Sequence, residues 1–298
     1  MKTFNSDTNF SIVLPGGCNA KCKFCFNVKP PIESLPIGYY LRKLTQCLNE
    51  LDKQFYQISL TGGEPLLSPY IDFVLSTIFG FKHKYTNIVL TTNGTQLLNK
   101  IDMVSLTVDH INISRHHFNE SDNKNIFGGS YNEDDKSLLM AIDEYGKRGI
   151  DISVNCVIND STTKDFIDNY IEWGKSLGVY AIRFRKENGD LKPTPVELEY
   201  SDYKNLRHGE CPVCRTDLQR IKGVLVYWKS STLEPSDMIK NKIYELVFQP
   251  DGNIYEDWSY NRIVNLYPEK FRNVYRKSNR IKSSNRNSSC GGNSRSCG

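Results

Sequence analysis

Short apolar runs alternate with longer amphipathic stretches along this chain, and that rhythm predicts strands and helices in turn. Phe10-Ser11-Ile12-Val13-Leu14 reads as a buried strand closed by Pro15-Gly16-Gly17, after a polar, unstructured lead-in over residues 1–8. Tyr40, Leu41, Leu44, Leu48 and Leu51 recur at helical spacing and predict a helix from about Gly38 to Lys53. Gln57–Thr61 is a second strand, and Ser68-Pro69 reads as an N-cap and first-turn pair for a helix to about Ile78. Asn87–Thr92 predicts a third strand ending at the turn signal Asn93-Gly94. Asp102–Val108 and His110–Ser114 are expected to be extended, and residues 119–133 to be loop. A helix from Asp134 to Arg148 should turn Leu138, Leu139, Ile142 and Tyr145 inward. The strand Ile152–Ile158, a helix Asp165–Leu177 capped by Thr162 or Thr163, and the strand Tyr180–Arg185 follow. Repeated strand-then-helix units imply a parallel α/β sheet.

Past residue 190 the pattern changes. Pro193 and Pro195 mark a boundary, dividing the chain into residues 1–190 and an extension over 191–298. The extension should hold a short helix over 197–207, strands at Gly223–Trp228 and Tyr244–Gln249, and a turn at Pro250–Asn253 leading to Ile254–Trp258.

With 298 residues the chain suffices for one α/β domain and a small extension. No apolar run approaches a membrane span, and Met1–Ser6 lacks the apolar region of a secretion signal. Nine cysteines without such a signal point to reduced thiols and metal ligation in a cytoplasm rather than to disulfides. The net charge of +4 is unevenly placed: residues 259–298 carry nine Lys/Arg against Glu269, so the tail is +8 and the body −4. Such a tail suits an anionic partner, and a solvated, partly disordered tail suits it equally.

Candidate chemistry concentrates in Cys18-x3-Cys22-x2-Cys25, directly after the first strand. Thiolates are the ligands of zinc and of iron–sulfur clusters. A [4Fe–4S] cluster takes four cysteines, so three leave one iron open. Taken alone, the triplet also fits half a zinc knuckle or three buried thiols. A second motif, Gly62-Gly63-Glu64-Pro65, closes the second strand.

Together, CxxxCxxC with Phe24 before its last cysteine and the Gly-Gly-Glu-Pro turn resemble the radical S-adenosylmethionine (SAM) superfamily. The resemblance implies a partial (β/α)6 barrel and a [4Fe–4S] cluster on Cys18, Cys22 and Cys25 whose open iron chelates SAM. It further implies reductive cleavage of SAM to methionine and a 5′-deoxyadenosyl radical, fed by an external one-electron donor of the flavodoxin or ferredoxin kind. Contacts to SAM are implied for Phe24, Gly62, Gly63, Glu64, Asn93, Ser114 and Asn155, although a satisfied buried amide explains Asn155 equally well. No residue is assigned as a general acid or base.

By the rule for such barrels, residues at the C-terminal strand ends line the site. Arg115, Arg183 and Arg185 are therefore expected to face it and to bind an anionic portion of substrate, Arg183 and Arg185 sharing one face by strand alternation. The order of the extension resembles the SPASM or twitch extensions of peptide-modifying members, with Asp257 where those carry cysteine. Cys211, Cys214, Cys290 and Cys297 are the candidates for a second iron–sulfur cluster or a zinc. The extension favours a peptide substrate; the arginines favour a phosphorylated nucleotide. The alternative reading is a non-catalytic zinc or iron–sulfur module that binds nucleic acid through the basic tail, although no recognised nucleic-acid motif accompanies that tail.

Overall fold

The computed structural model describes residues 3–25, 33–50, 55–84, 87–187, 196, 217–229, 242–256, 258 and 263. Six parallel strands lie side by side in sequence order: β1 (Thr3–Leu14), β2 (Phe55–Gly62), β3 (Ile88–Thr92), β4 (His110–Ser114), β5 (Asp151–Ile158) and β6 (Ala181–Lys186). Between them run α1 (Ile37–Glu50), α2 (Ile71–Phe81), α3 (Ile101–Thr107), α4 (Glu120–Phe127), α5 (Asp135–Gly146) and α6 (Lys164–Ser176). Crossovers between parallel neighbours are right-handed, so a sequential strand order puts the helices on one face of the sheet.

That face is apolar and the other is not. Phe10, Ile12, Ile58, Leu60, Ile111, Ile113, Ile152, Val154, Ile182 and Phe184 are buried. Their alternating neighbours Asn9, Ser11, Gln57, Ser59, Asn112, Ser114, Ser153, Asn155, Arg183 and Arg185 are polar. A parallel sheet covered on both faces reads as unbroken apolar runs, so this alternation marks a second face that is no packed core. Around β1 this face is knit by hydrogen bonds: Asn9 Nδ2 and the Ser11 hydroxyl donate to Glu245 Oε1 at 2.9 and 2.7 Å, and the Ser59 hydroxyl donates to Asn9 Oδ1 at 2.9 Å.

Two hairpins widen the sheet. β7 (Asp217–Ile221) and β8 (Val224–Lys229) join through β8 alongside β6; β9 (Lys242–Phe248) lies alongside β1 and carries β10 (Ile254–Tyr255). The expected extension strands and the turn at 250–253 are thus present, as the edges of one ten-stranded sheet. Among the described residues no ladder joins its two edges, β10 and β7. The helix expected over 197–207 and the residues beyond 263 lie outside the described residues, which all fall in the unit spanning Met1–Val264. No helix among them is long and apolar enough to cross a membrane.

Five local expectations change. The lead-in is part of β1, which already pairs with β9 at Thr3 and Phe4. Asp102–Val108 is helix α3 with its cap, because Val104 and Val108 lie one helical turn apart and both are buried. Residues 119–133 contain helix α4, capped by Asn119, whose side chain accepts the Asp122 N–H at 3.1 Å. Helix α2 begins at Ile71, later than Ser68-Pro69 implies: the Ser68 hydroxyl donates to the Pro15 carbonyl and accepts the Tyr70 N–H at 3.2 Å, and Tyr70 itself precedes the helix without a side-chain cap. In α5, Leu138 and Tyr145 are buried as expected, but Leu139 is exposed and Ala141 takes its place inside.

Candidate active site

The loop Pro15–Cys25 leaves the end of β1 and meets the ends of β2 and β3. Glu64 N–H donates to Gly17 O at 3.0 Å. A Cβ on Gly63 would lie 2.6 Å from that oxygen and 3.2 Å from Cys18 Cβ, so only glycine lets the two turns touch. Asn93 Nδ2 donates to Asn19 Oδ1 at 2.7 Å, and Asn19 Nδ2 donates to Thr95 Oγ1 at 3.1 Å. Gly62, Gly63, Glu64 and Asn93 are therefore brought against the cysteine loop.

Glu64 and Asn93 serve this assembly through their side chains. Glu64 is 1% exposed and accepts the Thr92 hydroxyl at 2.6 Å, Asn93 N–H at 2.6 Å and Leu66 N–H at 3.1 Å. Burial pushes its carboxyl above the usual range, and those three donors pull it back. The side chain brackets β2 to β3, which leaves main-chain groups of the turn to meet a ligand. Asn93 Oδ1 accepts the N–H and hydroxyl of Thr95 at 3.1 and 2.9 Å.

Cys18 and Cys25 are exposed and Cys22 is half-buried. Burial, then the neighbouring thiols Cys25 and Cys18, push Cys22 up to about 12; Cys18 is raised mainly by burial. Crowded thiols hold their protons until a cation compensates them, which is the chemistry of a donor set that ionises when metal binds. Among the described residues no three His, Cys, Asp or Glu side chains converge into a preformed metal cage. Cys211, Cys214, Cys290 and Cys297 lie outside the described residues.

Ser114 and Asn155 are register partners on the polar face. Asn155 Oδ1 is buried without a hydrogen-bond partner, an acceptor suited to a ligand's donor. Arg183 stands beside Asn155 in register, and Arg185 stands beside Lys229. Sequence reasoning missed Lys229; the alternation of β8, Val-Leu-Val-Tyr-Trp-Lys, was the signal available. Asn155 and Arg183 sit within their strands rather than at the ends, because β5 and β6 continue to Ile158 and Lys186.

Arg183 also points away from Ser114. Its Nη2 lies 3.2 Å from Nε2 of His110, the first residue of β4, and its guanidinium stacks 4.7 Å over the Tyr227 ring. The Ser153 hydroxyl reaches the same His110 nitrogen at 2.9 Å. Burial, then Arg183, pull His110 down to about 4, so the ring is neutral and Nε2 accepts.

Arg115 does not join the other arginines. One residue past Ser114, it falls on the opposite side by strand alternation. There it is 1% exposed, pairs with Asp135 at 2.6 Å, donates from Nε to the His117 carbonyl at 2.9 Å, and stacks on Trp173. Its neighbour His116 is buried and held neutral, pulled down to about 3 by burial and Arg115, with Nδ1 accepting the Val157 N–H.

A sequence profile of the Radical SAM superfamily matches residues 12–173. The chain is 28% identical to the GTP 3′,8-cyclase of Aliarcobacter butzleri (strain RM4018) over 220 residues, covering 71% of this chain and 66% of that protein. It is 26% identical to the S-adenosylmethionine-dependent nucleotide dehydratase of Flammeovirga pacifica over 223 residues, covering 68% and 72%. Against the cyclase of Helicobacter pylori (strain ATCC 700392 / 26695) the chain spans half of that protein's length. The crystal structure of Streptococcus suis SuiB bound to S-adenosylmethionine shares the fold, with a TM-score of 0.59 at 16% identity over 88% of this chain and 63% of that one. The cysteine loop, the glycine turn seated on it and the profile match over more than half of the sequence agree, and the chain belongs to the radical SAM superfamily of enzymes.

Proposed function

We propose that this chain is a radical SAM enzyme acting on a phosphorylated nucleotide or nucleoside. Cys18, Cys22 and Cys25 would hold the [4Fe–4S] cluster that membership implies, and main-chain groups of Gly62, Gly63 and Glu64, with Phe24, Ser114 and Asn155, would orient SAM. When bound, the cluster and SAM supply a 5′-deoxyadenosyl radical, which takes hydrogen from the substrate. The chain's own part is to bind, orient and exclude water, because a carbon radical is quenched by any nearby hydrogen donor. An external electron donor and a reducing compartment such as the cytoplasm complete the reading. A second cluster or zinc on Cys211, Cys214, Cys290 and Cys297 remains part of it, as does residues 191–298 acting as an extension.

The observation that carries the substrate class is the cationic pair of Arg185 and Lys229, register partners on adjacent strands of the polar face. Guanidinium forks suit phosphate oxygens. Relatives named for GTP and for a nucleotide agree with it. The peptide reading rests on the hairpin and on a likeness that shows the fold alone.

The test is 5′-deoxyadenosine formation by anaerobically loaded, reduced protein in the presence of nucleotides or peptides. Phosphorylated nucleotides should stimulate the wild type and stimulate Arg185→Ala about tenfold less, the loss of one charge-assisted contact. Equal stimulation of both proteins by neutral peptides overturns the nucleotide reading. Iron content unchanged in the Cys18/Cys22/Cys25 triple alanine variant overturns the cluster assignment.

A further inference from the structure

Helix α4 contributes little to the core. Only Asn123 and Phe127 are buried along it, and one of those is polar. Yet the segment is fastened at both ends. Asn123 Oδ1 accepts His116 N–H at 2.8 Å and His117 N–H at 3.3 Å, just past the end of β4, while its Nδ2 donates to the Tyr131 hydroxyl at 3.1 Å. From there the turn after α4 runs directly onto the cysteine loop. Lys21 N–H donates to Phe127 O at 2.7 Å, and Ser130 N–H donates to Asn19 O at 2.8 Å. These two bonds flank the stretch between Cys18 and Cys22. The far side of the loop is reached through rings: Phe24 meets His116 edge-on at 4.7 Å, His116 meets Phe127 at 4.8 Å, and Phe127 stacks on Tyr131 at 4.0 Å.

We propose that α4 and the Gly128-Gly129 turn form a strap that sets the conformation of the cluster loop, with Gly129 as its positioning residue; this rests on the cluster reading above. Gly129 has φ +64 and lies so close that a Cβ would stand 2.5 Å from Asn19 O. That oxygen is the acceptor for Ser130, so any side chain at 129 pushes the loop off its second bond. Gly149, past α5 and outside the strap, has φ +75 with nothing within 4 Å of its Cβ position. Both glycines carry a positive φ that a side chain adopts only under strain, and only Gly129 carries the collision. A metal's affinity depends on the groups that orient its ligands, and here those groups are two main-chain bonds and a ring stack.

Wild type, Gly129→Ala and Gly149→Ala are loaded anaerobically, and iron loss to a chelator is followed by visible absorbance alongside each thermal midpoint. Gly129→Ala should lose iron about tenfold faster than wild type, with Gly149→Ala close to wild type even where its midpoint falls by as much. Equal rates in all three proteins, or equally fast loss from both variants, overturns the strap. Should Gly129→Ala fail to fold, hydrogen exchange of wild type decides: peptides covering 19–22 and 127–130 should gain protection together on loading, and independent responses overturn the proposal. Iron retained in the triple cysteine variant overturns the cluster reading itself. Iron lost there, with unaltered rates in the glycine variants, overturns the strap alone.

Discussion

Two buried glutamates show how differently one side-chain type is accommodated. Glu64, with three donors on its carboxylate, works as a bracket between strand ends. Glu133 is 5% exposed, and no hydrogen bond among the described residues reaches its carboxylate. Burial, then Asp134, push its carboxyl up from 4.5 to about 7; Arg115 and Lys124 pull it down and Glu64 adds to the rise. The folded state therefore binds the proton more tightly than the unfolded chain, and this group's stabilisation is lost as pH rises from about 4.5 to about 7. The loss should reach at most about 3 kcal/mol. Denaturant unfolding of wild type and Glu133→Gln across that range checks it: the difference between the two should drift against the wild type with rising pH. The arginines teach the same lesson in charge. Arg115, Arg183 and Arg185 look alike in the sequence, but only the latter two share the polar face.

At the scale of elements, α4 was invisible to periodicity because its buried face is one asparagine and one phenylalanine, too little apolar pattern for a helix signal. Its determinants are polar: the Asn119 cap, the Glu120–Lys124 ion pair and the Asn123 tie to β4. Asn119→Ala should therefore cost about 1 kcal/mol. Because α4 adds little to the core, the effect should appear as faster hydrogen exchange over 120–127 with the global melting midpoint almost unmoved. Of the two candidates for the cap of α6, Thr163 is the one that forms, and Asp134, expected as the first residue of α5, caps that helix; in each a short side-chain oxygen accepts an N–H three residues on. Helix α3 was misread as extended because its β-branched run suits a strand; burial of Val104 and Val108 on one side settles it as helix.

For the whole molecule, the helix-facing side of the sheet supplies the stability and the polar side supplies the chemistry. Leu60→Ala, at a fully buried position beside the glycine turn, should cost 2–5 kcal/mol, of order, read as a lower denaturant midpoint with an unchanged slope. Its effect on the site should be indirect, through the frame that carries Gly62–Glu64. The chain spans 66% of the length of the A. butzleri cyclase.

The sequence by itself determined the alternation of strands and helices, the cysteine loop after β1 and the glycine turn after β2. Each of these is written in local chemistry: thiols at fixed spacing, a side-chain period, and glycines where a Cβ has no room. Only the tertiary structure decided where the late strands go, since β8 and β9 choose their partners β6 and β1 through pairing across the sheet. It likewise decided that Arg183 turns back to His110, that Glu64 and Asn93 fasten strand ends, and that α4 lies against the cluster loop. Those outcomes depend on register and on contacts between residues far apart in the chain, which no local pattern of residues encodes.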